Sequence, residues 1–126
     1  MKYLIGLIFL GWSVSAMAIN CPYGEVIFGK LGGEYCVYTK RGMNWWSAHQ
    51  WCQAQGLHLA SPEEACNYDE YSWAGGWCTN LNLGIRKSVW TNLTTDKGRA
   101  CTIDINNSAV YLNTYYTNNC LPICVE

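Results

Sequence analysis

The sequence predicts an α+β domain, and three observations predict it. Two helix-start signatures, Asn44-Trp45 and Ser61-Pro62-Glu63-Glu64, follow one another in the first half of the chain. A short hairpin pattern precedes them. From Leu83 onward the chain breaks into β-branched and aromatic runs separated by turn residues. Eight cysteines in 126 residues add that disulfides staple this small fold.

The first segment is a leader rather than part of the fold. Lys2 is followed by an apolar stretch, Tyr3 to Val14, and by Ala16-Met17-Ala18, an A-x-A cleavage box. Residues 1–18 are expected to be a cleaved signal peptide, and 19–126 a single domain. The apolar stretch is too short to span a membrane, so no membrane insertion is expected after cleavage. Cys21 lies near the cleavage point, but Asn20 stands where a lipoprotein signal needs a small residue, which argues against lipidation. The chain is thus expected to be exported to the periplasm, the cell surface or the medium.

Each element has its own signal. Cys21-Pro22-Tyr23-Gly24 is a turn. Val26 and Phe28 alternate with Glu25, Ile27 and Gly29 as a strand, Leu31-Gly32-Gly33-Glu34 reverses the chain, and Tyr35 to Thr39 returns. Asn44 caps a helix over Trp45 to Gln55, with Gly56 as its stop. Trp45, Ala48 and Cys52 share its buried face. Ser61 caps a second helix with Pro62 at its first position and Glu64 at its third, expected to run to about Tyr71. Gly75-Gly76 opens a long loop. Strands follow at Val89 to Thr94, Ala100 to Ile105, Ala109 to Thr114 and Cys120 to Val125. Turns fall at Asp96-Lys97-Gly98 and Asn106-Asn107.

Composition excludes several functions. Eight Lys/Arg stand against nine Asp/Glu, and with Lys2 in the leader the mature charge is about −2. No basic run exists, so nucleic acid and anionic membranes are not expected partners. There is no C-x-x-C pair, and His49 and His58 are not spaced with cysteines as zinc ligands are, so no metal or other cofactor is expected. Eight cysteines allow 105 pairings.

The segment Met43 to Glu64, MNWWSAHQWCQAQGLHLASPEE, together with Cys124-Val125-Glu126, resembles the C-type-lectin-like domain in its long form. Cys21-Pro22-Tyr23-Gly24 through Cys36-Val37-Tyr38 is similar to that family's opening hairpin, Asn44-Trp45 and Cys52 to its first helix, and Gly56 to Glu64 to its helix–turn–helix passage. The resemblance implies a C-type-lectin-like fold: two helices, short antiparallel sheets and a disulfide-stapled hairpin. It implies the bridges Cys21–Cys36 and Cys52–Cys124. Cys66 and Cys78 are close in sequence and flank the Gly-rich loop, so they are paired. That leaves Cys101–Cys120, similar to the family's second conserved bridge, though Cys120 stands only four residues from Cys124.

The chain departs from the family where sugar-binding members hold calcium. It has neither Glu-Pro-Asn, Gln-Pro-Asp nor Trp-Asn-Asp, and residues 105–125 carry no charge. Calcium takes about 6–8 oxygen ligands, and Asp96 with Asp104 supplies too few carboxylates. The uncharged stretch instead concentrates Asn106, Asn107, Tyr111, Asn113, Tyr115, Tyr116, Asn118 and Asn119. Tyr gives broad contact area with few rotors and Asn gives adaptable hydrogen bonds, the mixture of evolved recognition loops. Some bacterial and phage members of the family carry their ligand surface in this region, which this segment resembles. Turn-making Asn and sheet-filling Tyr is the competing explanation. Trp45 and Trp51 are expected in the core and Trp46 at the surface. Trp90 joins the candidate ligand-binding set. Trp73 and Trp77 either cover the Cys66–Cys78 loop or present a ring to a ligand.

Catalysis is not expected. Glu63 and Glu64 are accounted for by capping, Asp69 and Glu70 by a solvated helix face, and His58 by a half-buried strand. Neither a carboxylate pair across a cleft nor a thiol for His49 to activate is evident. The expected function is therefore an exported, calcium-independent binding module for a protein or glycan ligand at a cell surface. The alternatives are an adhesive or structural envelope subunit and, more remotely, a small secreted cell-wall hydrolase.

Overall fold

The computed structural model describes residues 19–67, 76–81, 87–95, 97–105 and 108–126. The leader 1–18, Trp73, Asp69, Glu70, Asp96, Asn106 and Asn107 lie outside the described residues.

The architecture is α+β: two helices against a mixed sheet, with three disulfides. The strands are β1 (Glu25–Phe28), β2 (Glu34–Val37), β3 (His58–Leu59), β4 (Gly76–Trp77), β5 (Ser88–Thr94), β6 (Arg99–Asp104), β7 (Ala109–Tyr115) and β8 (Leu121–Val125). The helices are α1 (Trp45–Ala54) and α2 (Pro62–Cys66), and Thr79–Leu81 forms a short 3-10 turn. The sheet path is β1-β2-β8-β5-β6-β7-β4, with β3 also paired to β8. All pairs are antiparallel except β5 with β8. β8 is buried at every residue, which is why its sequence is Leu-Pro-Ile-Cys-Val without alternation.

Local chemistry sets the helices. The Asn44 side chain accepts from the Ser47 N–H, and Gly56 takes φ 76° just past the end of α1, a left-handed conformation that suits glycine. At α2, Ser61 Oγ accepts from the Glu64 N–H at 3.0 Å while the Glu64 carboxylate accepts from the Ser61 N–H at 2.9 Å, a complete capping box. This helix stops at Cys66, short of the expected Tyr71. Asn67 turns left-handed (φ 51°) and donates from Nδ2 to the Leu31 carbonyl at 2.8 Å, and Cys66 is tied to Cys78.

Two apolar clusters lie on opposite faces of the sheet, and side-chain parity assigns each residue to one of them. Tyr35, Val37, Val89, Cys101, Ile103, Val110, Leu121 and Ile123 fill the first, beside Ala65 and Cys66 of α2. Cys36, Trp90, Ala100, Cys120 and Cys124 fill the second, beneath Ala48 and Cys52 of α1. Trp45 and Trp51 are partly buried against the second cluster, while Trp46 is 51% exposed, as their helical positions imply. In β1 the expected alternation fails. Ile27 packs on the first cluster and Val26 on the second, and Phe28 is 66% exposed on this outermost strand.

The disulfides are Cys21–Cys36, Cys52–Cys124 and Cys66–Cys78, with Cα separations of 5.5, 5.5 and 5.2 Å. The expected Cys101–Cys120 bridge is not made, and strand parity is the reason. Cys101 points into the first cluster and Cys120 into the second, so the sheet itself lies between them. Disulfides of this density belong to oxidising compartments. Among the described residues no helix is long and apolar enough to cross a membrane.

A buried polar staple joins the first cluster to the loops. Asn80 is fully buried. Its Nδ2 donates to Tyr35 Oη and to the Ala65 carbonyl, both at 2.9 Å, and its Oδ1 accepts from the Leu31 N–H at 2.6 Å. Tyr35 Oη in turn donates to the Glu64 carbonyl at 2.6 Å. Burial raises the Tyr35 pKa above its ordinary value. The Asn80 hydrogen bond opposes that rise and the Glu64 charge adds to it.

Candidate functional site

The face of β5–β7 that turns away from the first cluster bears a polar groove of about 760 Å³. Alternation places Ser88 of β5 opposite Asp104 of β6, two residues from Thr102, all pointing to this face. Tyr111 and Thr114 of β7 join them although their spacing is odd. The register shifts between Ala100–Thr114 and Thr102–Tyr111, so β7 carries an extra residue there. That bulge brings both side chains to the same face. It also brings the Thr102 and Thr114 hydroxyls within 2.8 Å of each other, forming the groove floor. Lys87, Asn118, Asn119 and Cys120 complete the lining.

The candidate residues do not share one surface. Tyr111 (45% exposed), Asn118 and Asn119 line the groove together. Tyr115 points elsewhere, its Oη accepting from Arg99 Nη2 at 2.6 Å with the guanidinium 4.4 Å from its ring centroid; Asn113, in the bulged stretch of β7, is exposed and is not in the groove lining. Tyr116 serves α1: it stacks on Trp45 at 4.9 Å and meets Trp46 edge-on at 4.9 Å, while its carbonyl accepts from the Trp45 N–H. Trp90 is a correction. It is fully buried, donates from Nε1 to the Met43 carbonyl at 2.7 Å, and presents no surface to a ligand. Asn106 and Asn107 lie outside the described residues.

The groove also uses residues that the sequence reading did not select: Lys87, Ser88, Thr102 and Thr114. Thr102 and Asp104 stand two apart in a strand, so alternation alone could have placed them on one face. Thr114 needed the bulge, which has no local signature here. Burial pushes the Cys120 thiol up to about 11, which keeps it protonated at neutral pH.

The histidines stand apart from the groove. His49 stacks on Trp45 at 5.1 Å. His58, expected to be half-buried, is exposed on β3 with Nε2 3.4 Å from both carboxylate oxygens of Glu64. Trp77 is 63% exposed on β4. Among the described residues no group of three His, Cys, Asp or Glu is placed to hold a metal ion.

A comparison with protein-family models finds no match, and a comparison with curated proteins finds none.

Proposed function

We propose that residues 19–126 are an exported C-type-lectin-like binding module that holds its ligand, a glycan or a protein, in the groove across β5–β7 without calcium. The observation that carries this reading is the convergence of Tyr111, Asn118 and Asn119 on one polar groove of ligand-sized volume. The family reading draws on the Cys52–Cys124 link between α1 and the last strand, together with the element order hairpin, helix, helix, strands. Calcium independence follows from the donor set. Asp104 is the carboxylate in the described lining, whereas a calcium site draws on several. The same count favours binding over glycoside hydrolysis, which needs two carboxyl groups across the cleft.

The test is binding of the oxidised domain to arrayed glycans and to surface proteins, with calcium and with chelator in parallel. The expected result is chelator-resistant binding that Tyr111→Ala reduces and Tyr116→Ala reduces only through stability. Binding that disappears with chelator, or that ignores Tyr111, overturns the proposal.

A further inference from the structure

We infer that the groove continues into a neighbouring cavity over α1, and that the single cleft so formed takes a linear oligosaccharide lying across Asn119. The inference rests on the groove being the ligand site. The neighbouring cavity, about 560 Å³, lies between the Arg41–Asn44 segment and the Ser47, Gln50 and Trp51 side of α1. Asn119 lines both spaces. The divide between them is a backbone crossing, where Met43 and Cys120 exchange hydrogen bonds of 2.9 and 3.0 Å. Gly42 sits at that crossing. A Cβ there would lie 2.9 Å from the Asn119 carbonyl carbon, so the close approach excludes a side chain. Asn119 is exposed at this crossing and lines the space on each side of it.

The lining selects the occupant. Hydroxyls (Ser47, Thr102, Thr114) and carboxamides (Gln50, Asn118, Asn119) dominate. Lys87 and Asp104 offset one another in the groove, and Arg41 adds one positive charge to the lining of the second cavity. Such a surface offers paired donors and acceptors to a hydroxyl-rich ligand and little to an apolar anchor. Tyr111 lines the groove and Trp51, which packs on Tyr38 at 5.7 Å, lines the neighbouring cavity, so each space has an aromatic ring beside its polar groups. An extended peptide is disfavoured on separate grounds. It binds by adding to a free strand edge, and β5 and β6, which carry Ser88, Thr102 and Asp104 of the groove, each have a strand on both sides. The backbone of β6 is paired to β5 on one side and to β7 on the other, so on that strand a ligand meets side chains. A ligand long enough to touch Tyr111 and Gln50 together must pass over Asn119, which makes chain length a determinant of affinity.

The experiment is isothermal titration of the oxidised domain, in chelator, with monosaccharides and linear tetrasaccharides of glucose, mannose and N-acetylglucosamine. The variants are Tyr111→Ala, Asn119→Ala and Gln50→Ala; Gln50 is an exposed helical position whose loss leaves the fold intact. At least one tetrasaccharide is expected to bind about tenfold or more tighter than its monomer. Gln50→Ala is expected to weaken the tetramer about threefold or more while leaving the monomer unchanged, and Asn119→Ala to weaken both. Equal affinity for monomer and tetramer, with Gln50→Ala silent and Tyr111→Ala active, overturns the continuous cleft and leaves the groove standing. Failure of every saccharide, beside a protein ligand lost on Tyr111→Ala, overturns the oligosaccharide and again leaves the groove. Indifference of every bound ligand to Tyr111→Ala removes both.

Discussion

Replacing Asn80 by Ala tests the staple that joins three otherwise separate pieces of chain. The carboxamide makes three hydrogen bonds: to Tyr35 on β2, to the Ala65 carbonyl at the end of α2, and from the Leu31 N–H in the hairpin turn. The losses are unequal. Ala65 is fully buried, so its carbonyl is left without that donor at about 2 kcal/mol. Leu31 is 53% exposed and its N–H reaches water, at about 0.5–1 kcal/mol. Tyr35 keeps its own donation to Glu64 and forfeits about 1 kcal/mol. The expected destabilisation is about 3–4 kcal/mol, read as a fall of roughly 2 M in the urea midpoint of the oxidised protein at unchanged slope. The backbone contact from the Lys30 N–H to the Asn80 carbonyl, 2.9 Å, survives the substitution, so the turn is weakened rather than released. A double-mutant cycle with Tyr35→Phe isolates one of the three bonds and is expected to show coupling of about 1 kcal/mol. A loss under about 1 kcal/mol for Asn80→Ala would refute the reasoning, because a fully buried carboxamide with three partners cannot be that cheap to remove.

Other perturbations follow from the same structure. Cys120 ionises at about 11 in the fold against 9.0 ordinarily, so the unfolded chain loses its proton first as pH rises. Stability from this group is flat below pH 9 and declines towards pH 11 by at most about 2–3 kcal/mol; urea midpoints across that range should show a smaller decline in Cys120→Ala. Replacing Cys52 and Cys124 together by Ala opens a loop of 72 residues and is expected to cost about 4 kcal/mol, measured against the oxidised wild type; a loss under about 1 kcal/mol contradicts the constraint. Ser61→Ala breaks one half of the capping box and should destabilise by about 1 kcal/mol, whereas Ser61→Asp should stay near wild type in the same assay.

What was legible in the sequence was local. Asn44 and Ser61 announce helix starts because a cap is chemistry between neighbours, and both act as the sequence implied. The strands from Ser88 onward follow from β-branched and aromatic runs set off by turn residues. What was not legible depends on register between distant strands. Nothing near Cys101 says that it faces one core and Cys120 the other; that follows only once β8 is laid beside β5. Nothing near Trp90 says that its indole is sealed under the Met43 segment, because that segment arrives from 47 residues away. Asn80 carries no motif, and its role exists only because α2, β2 and the hairpin turn converge on it.

The divided Asn/Tyr-rich segment follows the same logic and bears on function. A strand alternating in side-chain direction cannot place every polar residue on one surface, so a compositional cluster must split between faces. The β7 bulge partly overrides this by recruiting both Tyr111 and Thr114 to the groove, while Leu112 still packs against the first core. The load on the fold and the load on recognition therefore fall on different residues of the same strands. Val110 and Ile103 hold the sheet from one side, and two of the three disulfides meet on the other at Cys36 and Cys124, which stand directly opposite one another in β2 and β8. Tyr111, Asn118 and Asn119 are exposed and contribute little to that packing. Their substitution alters the groove at small cost in stability, generally within about 0.5 kcal/mol for such surface positions. A surface mounted on a stapled interior sheet in this way can change what it recognises without changing how the chain folds.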